Sequence, residues 1–191
     1  MTVLAALRNC FAENRRPLAL ATGVLTVGAT VGVSVALLGP TPADSGGAPT
    51  ASAAAETLAF PRLLVTNGTV GALLVGGGAL LALPTLLTLF RNGLVVGALA
   101  GAAARGGDGV VFLALLAPHG LVELGAFCIA GAAGLRLPLQ LTAYLRGHRE
   151  TVATRSELRQ VGLLAVTAAV LIVVAAAIES SVTHWLAREL A

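Results

Sequence analysis

The sequence has few charged residues, few aromatic residues and no lysine. Only 11% of its 191 residues are charged and 4% are aromatic, whereas 57% are hydrophobic. A soluble domain would have about a quarter of its residues charged, so this composition excludes an ordinary soluble fold and indicates a chain solvated by lipid. The scarcity of large rings, together with 23 glycines, is typical of membrane helices whose backbones approach closely.

The scarcity of cysteine and the lack of a basic stripe with aromatic residues exclude further classes of function. The two cysteines, Cys10 and Cys128, are too few for a disulfide framework or a cysteine metal cluster. All basic residues are arginines, yet no basic stripe alternates with aromatic residues that could stack on bases, so we expect no nucleic-acid partner. The arginines lie beside apolar runs, where such residues set the orientation of a chain in the membrane. The sequence offers no motif for a cofactor.

Apolar stretches long enough to cross a hydrocarbon core of about 30 Å recur along the chain. We predict an all-α, polytopic helical bundle that forms a single membrane domain over residues 1–191. A cleaved signal peptide ending near residue 53 is the rival interpretation of the first stretch, but its apolar run exceeds the 7–15 residues typical of such signals. The five predicted transmembrane spans are residues 18–38, 63–83, 86–104, 109–135 and 160–180.

The connecting segments predict the orientation. Residues 136–159 carry five arginines, and more arginines precede the first span, so we expect both to be cytoplasmic and the chain to be a multi-pass protein of the plasma membrane. If residues 94–117 formed a re-entrant hairpin instead, the arginine-rich loop would face outside. Residues 39–57, rich in proline, glycine, serine and alanine, predict a flexible extracytoplasmic loop. Residues 1–16 predict an amphipathic interfacial helix, because apolar residues recur there at helical spacing: Val3, Leu4, Leu7 and Phe11.

Small residues recur every four positions in two of the spans. Such rows make smooth stripes against which another helix can pack closely. We expect packing within the chain, with a homo-oligomer as the alternative. The two rows are Gly93, Gly97 and Gly101 in the third span, and Ala126, Ala130 and Gly134 in the fourth.

Ionisable residues inside apolar spans need partners, because an unpaired charge at membrane depth costs several kcal/mol. His119 and Glu123 lie one helical turn apart, about 15 and 21 Å into the fourth span. Arg91 reaches a similar depth on the third span, so we predict a buried ion pair or shared hydrogen-bond network between Arg91 and Glu123. Pro118 should bend or break its helix. The order H-x-x-x-E lacks the second histidine of zinc-protease helices, so the sequence predicts no metal site there.

A second set of polar residues is predicted near the outer face of the membrane. It comprises Asn67 early in the second span, and Glu179 and His184 at the end of the fifth. Trp185 follows directly, where an indole suits the membrane interface.

Four segments together resemble the stage II sporulation protein M family of integral membrane proteins. The resemblance implies a five-span protein without known enzymatic activity, and in endospore formers a membrane anchor and scaffold for peptidoglycan hydrolases. The segments are RNCFAEN (8–14), FRNG (90–93), PHGLVELGAFCIAGAAGLRL (118–137), which is the most specific, and AAAIESSVTHWL (175–186). The residues that match the family motifs or the expected polar core are Arg91, Asn92, Gly93, Pro118, His119, Gly120, Glu123 and Glu179.

Three functions follow, in order of preference. The first is a non-enzymatic membrane scaffold that contacts lipid and a protein partner in the membrane or cell envelope. The second is a transporter or channel subunit with a path past His119. The third is an intramembrane enzyme that uses Glu123 or Glu179 as a base.

Overall fold

The computed structural model describes residues 3–39 and 59–183, and within these ranges it contains helices and no strand. Five of the helices, α2 to α6, are long and apolar enough to cross a membrane. The prediction of an all-α bundle with five spans is therefore confirmed. The helices are α1 (Val3–Glu13), α2 (Arg15–Leu38), α3 (Phe60–Gly76), α4 (Leu83–Gly106), α5 (Gly109–Leu145) and α6 (Arg155–Ile178).

Helices α2 and α4 pack backbone against backbone. A methyl group placed on Gly28 would meet the backbone of Phe90, and one placed on Gly93 would meet the backbone of Leu25. Farther along, Gly97 faces Ala29 in the same way. Because the facing positions increase together, the two helices are parallel, as expected of spans separated by one crossing helix.

Helix α5 runs antiparallel to α4 and closes over the α3–α4 hairpin. Gly131 of α5 lies against Leu89, whereas Gly134 lies against the earlier Thr85. The Thr85 hydroxyl donates a hydrogen bond of 2.9 Å to the Leu74 carbonyl of α3. The end of α3, the start of α4 and the second half of α5 therefore meet at one level of the bundle.

Both rows of small residues contact other helices of the same chain. The first row, with Gly101 against Ala36, lines the α2–α4 interface. In the second row, Ala126 and Ala130 are fully buried. These contacts are the ones that packing within the chain predicts, and they leave neither row available to a second copy of the chain.

The α3–α4 turn has an unusual backbone. A 3-10 turn follows α3, and then Leu81 and Ala82 both adopt left-handed conformations, with φ of 54° and 66°. Each such non-glycine residue costs about 1–2 kcal/mol. Pro84 then occupies the first turn of α4, where its missing N–H group needs no partner. The division of residues 63–104 near Pro84 is thus correct, and the turn itself lies two residues earlier.

Helix α5 is ten residues longer than predicted and is not broken. It is helical through Pro118 and Pro138, so of the bend or break predicted at Pro118 the break is wrong. Inside a membrane, a break would expose several backbone groups to lipid, whereas a proline removes only one hydrogen bond. The predicted loop 136–159 is also wrong at both ends, because residues 136–145 belong to α5, residues 155–159 belong to α6, and the connection spans only 146–154.

Helix α6 begins with a capping box. The Thr154 hydroxyl accepts a hydrogen bond from the Glu157 backbone, and the Glu157 carboxylate accepts one from the Thr154 backbone. Arg149 adds a two-pronged contact to that carboxylate at 2.8 Å. These contacts fix the start of α6 after the short connection from α5.

Helix α1 covers most of residues 1–16, the segment predicted to be an amphipathic interfacial helix. Its Cys10 packs into a small apolar cluster with Ala133 and Leu164, whereas Arg8 and Glu13 are exposed. One residue after Glu13, the chain continues into α2. Except for Gly39, the predicted loop 39–57 lies outside the described residues, as do His184 and Trp185.

Candidate functional site

Three ionisable side chains meet on the inside of the bundle, in a group named here the His–Glu cluster: His119, Glu123 and Glu179. Their ligating atoms all lie within 4.8 Å of one another. Nε2 of His119 is 3.9 Å from Oε1 of Glu179. The histidine is buried and the two glutamates are partly buried. The structure thus adds a third group to the pair that the sequence had suggested.

Two helices position this cluster. His119 and Glu123 are four residues apart on α5, so their side chains project from the same face. Glu179 lies where α6 widens into a single π turn over residues 179–183, a distortion that is frequent at functional sites. Because α6 is antiparallel to α5, its end reaches the first third of α5.

Arg91 does not join the cluster, so the predicted ion pair with Glu123 is wrong. Leu89 packs against Gly131, which places Arg91 level with residue 129 and about 9 Å, or six residues, from the level of Glu123. The Arg91 side chain is also exposed. The sequence estimate of depth assumed span ends that differ from those of the helices.

Glutamine substitutions at Arg91 and Glu123 should therefore have independent effects on stability. The two changes in the free energy of unfolding are expected to add within about 0.5 kcal/mol, as they do for sites without shared partners. Denaturation of the two single variants and the double variant in detergent measures this. A double variant that is more stable than the Glu123→Gln variant would contradict this expectation and would indicate that Arg91 and Glu123 form an ion pair.

The other motif residues serve the packing of the helices. Nδ2 of Asn92 donates a hydrogen bond of 2.8 Å to the Thr88 carbonyl of its own helix, and Gly93 contacts α2. Gly120 is buried, and the atoms nearest to a methyl group placed there belong to the Leu116 side chain of the same helix. Gly93 is therefore part of the α2–α4 interface, whereas the hydrogen bond of Asn92 stays within α4, and neither residue belongs to the His–Glu cluster.

A second polar group, named here the Asn14 centre, lies where α1, α2, α5 and α6 meet. Nη1 of Arg136 donates to Oδ1 of Asn14. Nδ2 of Asn14 donates to the Cys10 carbonyl at 2.7 Å and to Oε1 of Gln160 at 3.3 Å. Nε2 of Gln160 in turn donates to the Glu13 carboxylate. These five residues join α1, α5 and α6 in one network through Asn14, which lies between α1 and α2.

The Asn14 centre holds a buried positive charge. Arg136 is only 9% exposed, and within the described residues its Nε has no hydrogen-bond partner and no carboxylate lies within ion-pair distance. Burial raises the pKa of the neighbouring Cys10 thiol, and the positive charge of Arg136 opposes this rise in part. The sequence had placed Arg136 in a solvated loop, because composition does not show that Asn14 would meet it.

The two polar groups lie at different heights in the bundle. His119 and Arg136 are separated by about 26 Å along α5, from seventeen residues at 1.5 Å each. This distance is close to the thickness of a hydrocarbon core, about 30 Å. The residues of α5 between Glu123 and Arg136 are all uncharged. The polar groups therefore bracket an apolar layer.

Several cavities open on the surface of the described residues. One of about 900 Å³ is a groove between α1 and α6 lined in part by Cys10, Glu13 and Arg159. Two others, of about 360 and 500 Å³, are lateral and almost wholly apolar. None of the three is lined by a residue of the His–Glu cluster.

Comparison with known proteins identifies the family. The family model for Stage II sporulation protein M matches residues 18–184, which include the whole His–Glu cluster and Arg136. The chain belongs to this family. The resemblance expected from the four sequence segments is thereby confirmed.

A second comparison gives a relative within this family. Uncharacterized protein MJ0793 of Methanocaldococcus jannaschii is 33% identical over 132 residues, which cover 69% of this chain and 74% of that protein. No solved structure matches the chain. Membership in the family thus supports a membrane protein with five apolar helices.

Proposed function

We propose that this member of the stage II sporulation protein M family is a non-enzymatic scaffold that anchors a protein complex in the plasma membrane. The observation that carries the proposal is the packing of α2 against α4. A methyl group on Gly97 would lie 2.7 Å from the backbone carbon of Ala29, so these helices have no room to slide. A rigid platform suits assembly better than the rocking motion of alternating access.

The distribution of arginines supports an orientation for this scaffold. Helices α2 and α6 begin at the end of the bundle that holds the Asn14 centre, and α5 ends there. We propose that this end is cytoplasmic, since arginines concentrate on that side of a membrane, where they also attract anionic lipid headgroups. The exposed or partly exposed arginines at this end are Arg8, Arg15, Arg16, Arg146, Arg149, Arg155 and Arg159.

Reciprocal copurification tests the scaffold. The tagged chain is solubilised from native membranes in mild detergent, and we expect an envelope protein to copurify with it. When that envelope protein is tagged instead, it should recover this chain at a fixed ratio. Native mass spectrometry then gives the stoichiometry and separates a mixed complex from multiples of the 19.0 kDa chain. Recovery of the chain alone in every detergent would contradict the proposal.

Matched substitutions locate the partner surface. Arg146 and Asp108 are both exposed, in the α5–α6 connection and in the opposite α4–α5 turn. If the cytoplasmic connection binds the partner, Arg146→Glu should lower recovery of the complex severalfold, while Asp108→Arg leaves it unchanged. The reverse result would place the partner at the other end of the bundle.

A transporter or channel subunit is the second candidate, and the His–Glu cluster is the observation that favours it. Ionisable groups buried within a membrane bundle are typical of ion and proton paths. Reconstituted protein should then support a cation or proton flux that His119→Ala abolishes. Equal flux in vesicles with and without the protein would exclude this function. The intramembrane-enzyme alternative relies on the same three side chains.

A further inference from the structure

The His–Glu cluster has the composition of a metal site. An imidazole and two carboxylates are the ligands that zinc and other divalent first-row metals prefer, whereas thiolates are absent from the cluster. The ligands come from two helices distant in sequence, with His119 and Glu123 on α5 and Glu179 at the end of α6. A metal held there would connect these helices directly.

The distances fit a metal ion after a small contraction. Zinc binds nitrogen and carboxylate oxygen at about 2.0–2.2 Å, and at the tetrahedral angle two ligands of one ion are therefore about 3.4 Å apart. Nε2 of His119 and Oε1 of Glu179 are 3.9 Å apart. All three ligating atoms lie within 4.8 Å of one another, so side-chain rotations that move each atom by less than about 1 Å bring them within reach of one tetrahedral ion.

The charge of the cluster also favours a cation. Two carboxylates, those of Glu123 and Glu179, lie side by side in the bundle, with their ligating oxygens within 4.8 Å of each other. Two negative charges at membrane depth repel each other and lose their hydration. A divalent ion neutralises both carboxylates and binds the imidazole of His119 in the same step.

We propose that His119, Glu123 and Glu179 bind one divalent transition-metal ion of the zinc class, which fastens the end of α6 to α5. The three side chains supply three ligands and leave further positions of the ion to water or to another ligand. Glu179 is the first residue of the π turn that follows α6, and its carboxylate lies beside the α5 ligands. The inference is independent of the scaffold proposal, since copurification does not depend on bound metal.

Metal analysis of the purified full-length chain tests this site. The protein is stripped with a chelator, loaded with Zn²⁺ in lipid nanodiscs, washed, and analysed by inductively coupled plasma mass spectrometry. We expect one zinc per chain and a rise in the melting temperature on loading. Co²⁺ in place of Zn²⁺ should give visible absorption bands from its coordinated state.

Variants assign the ligands. Each of three single variants should weaken Zn²⁺ binding at least about tenfold and remove the Co²⁺ absorption bands: His119→Ala, Glu123→Gln and Glu179→Gln. Tenfold is the smallest loss expected because even residues that only hydrogen-bond to metal ligands contribute that much. The matched controls His148→Ala and Glu150→Gln change exposed residues of the α5–α6 connection and should bind as the wild type does.

The wild-type protein alone decides the proposal even if a variant fails to fold. Less than one zinc per two chains after loading, with no change in melting temperature and no Co²⁺ bands, would overturn it. So would wild-type zinc binding that persists in all three cluster variants.

Discussion

Gly97→Ala is expected to destabilise the bundle by about 3 kcal/mol, the upper end of the usual cost of overpacking. The added methyl group would lie 2.7 Å from the backbone carbon and 2.8 Å from Cα of Ala29. A backbone cannot rotate away as a side chain can, so α2 and α4 must separate along their length. Reversible unfolding in detergent, followed by circular dichroism or by fluorescence of Trp185, measures the loss.

Gly23→Ala is the matched control for this prediction. Gly23 lies on α2, is exposed, and a methyl group there would meet nothing within 4 Å. Because alanine favours helix by up to about 1 kcal/mol over glycine, this variant should be as stable as the wild type or slightly more so. Equal stability of the two variants would mean that α2 and α4 are not in backbone contact.

Asn14→Leu is expected to lower the free energy of unfolding by about 3 kcal/mol. The reason is that the Arg136 guanidinium would stay buried without its hydrogen-bond acceptor, and removing one partner of a buried charged group is strongly destabilising. Asn14 is fully buried and links Arg136 to Gln160. Arg136→Met in the same chain removes the charge that needs the acceptor. The double variant should therefore recover part of the loss, and a double-mutant cycle measures the coupling.

Arg146→Met controls for the loss of an arginine as such. Arg146 directly follows α5, the helix that carries Arg136, and is exposed, so its replacement should change the free energy of unfolding by less than about 0.5 kcal/mol. If Asn14→Leu and Arg136→Met are simply additive, the two residues do not interact and the Asn14 centre is not a structural unit.

The interiors of the spans were predictable from the sequence, because apolar length is a property of the sequence itself. Their ends were less so. The end of the fourth span was placed at residue 135 because Arg136 is charged, but this arginine lies inside the bundle and α5 continues for ten residues. A charge marks the end of a span only when water solvates it, and here Asn14 takes the place of water.

The His–Glu cluster was predictable in part. The spacing of His119 and Glu123 places both on one helical face, and the sequence identifies them as polar residues in an apolar span. It does not show that Glu179, 56 positions after Glu123, meets them, because that contact depends on the antiparallel alignment of α5 and α6. The mistaken pairing with Arg91 has the same origin, since a register error of six residues moves a side chain by about 9 Å.

The sequence by itself determined that this chain is a five-span helical membrane protein. It also identified the polar residues that would need hydrogen-bond or ion-pair partners inside the bundle. Composition, apolar length and the family motifs suffice for this, because they do not depend on how the helices meet. Only the tertiary structure decided the partners. The contact of α4 with α2 and the register of α5 brought Glu179 to His119 and Asn14 to Arg136, and left Arg91 outside. Such pairings depend on helix register, which close packing of glycines sets and which residue types alone do not reveal.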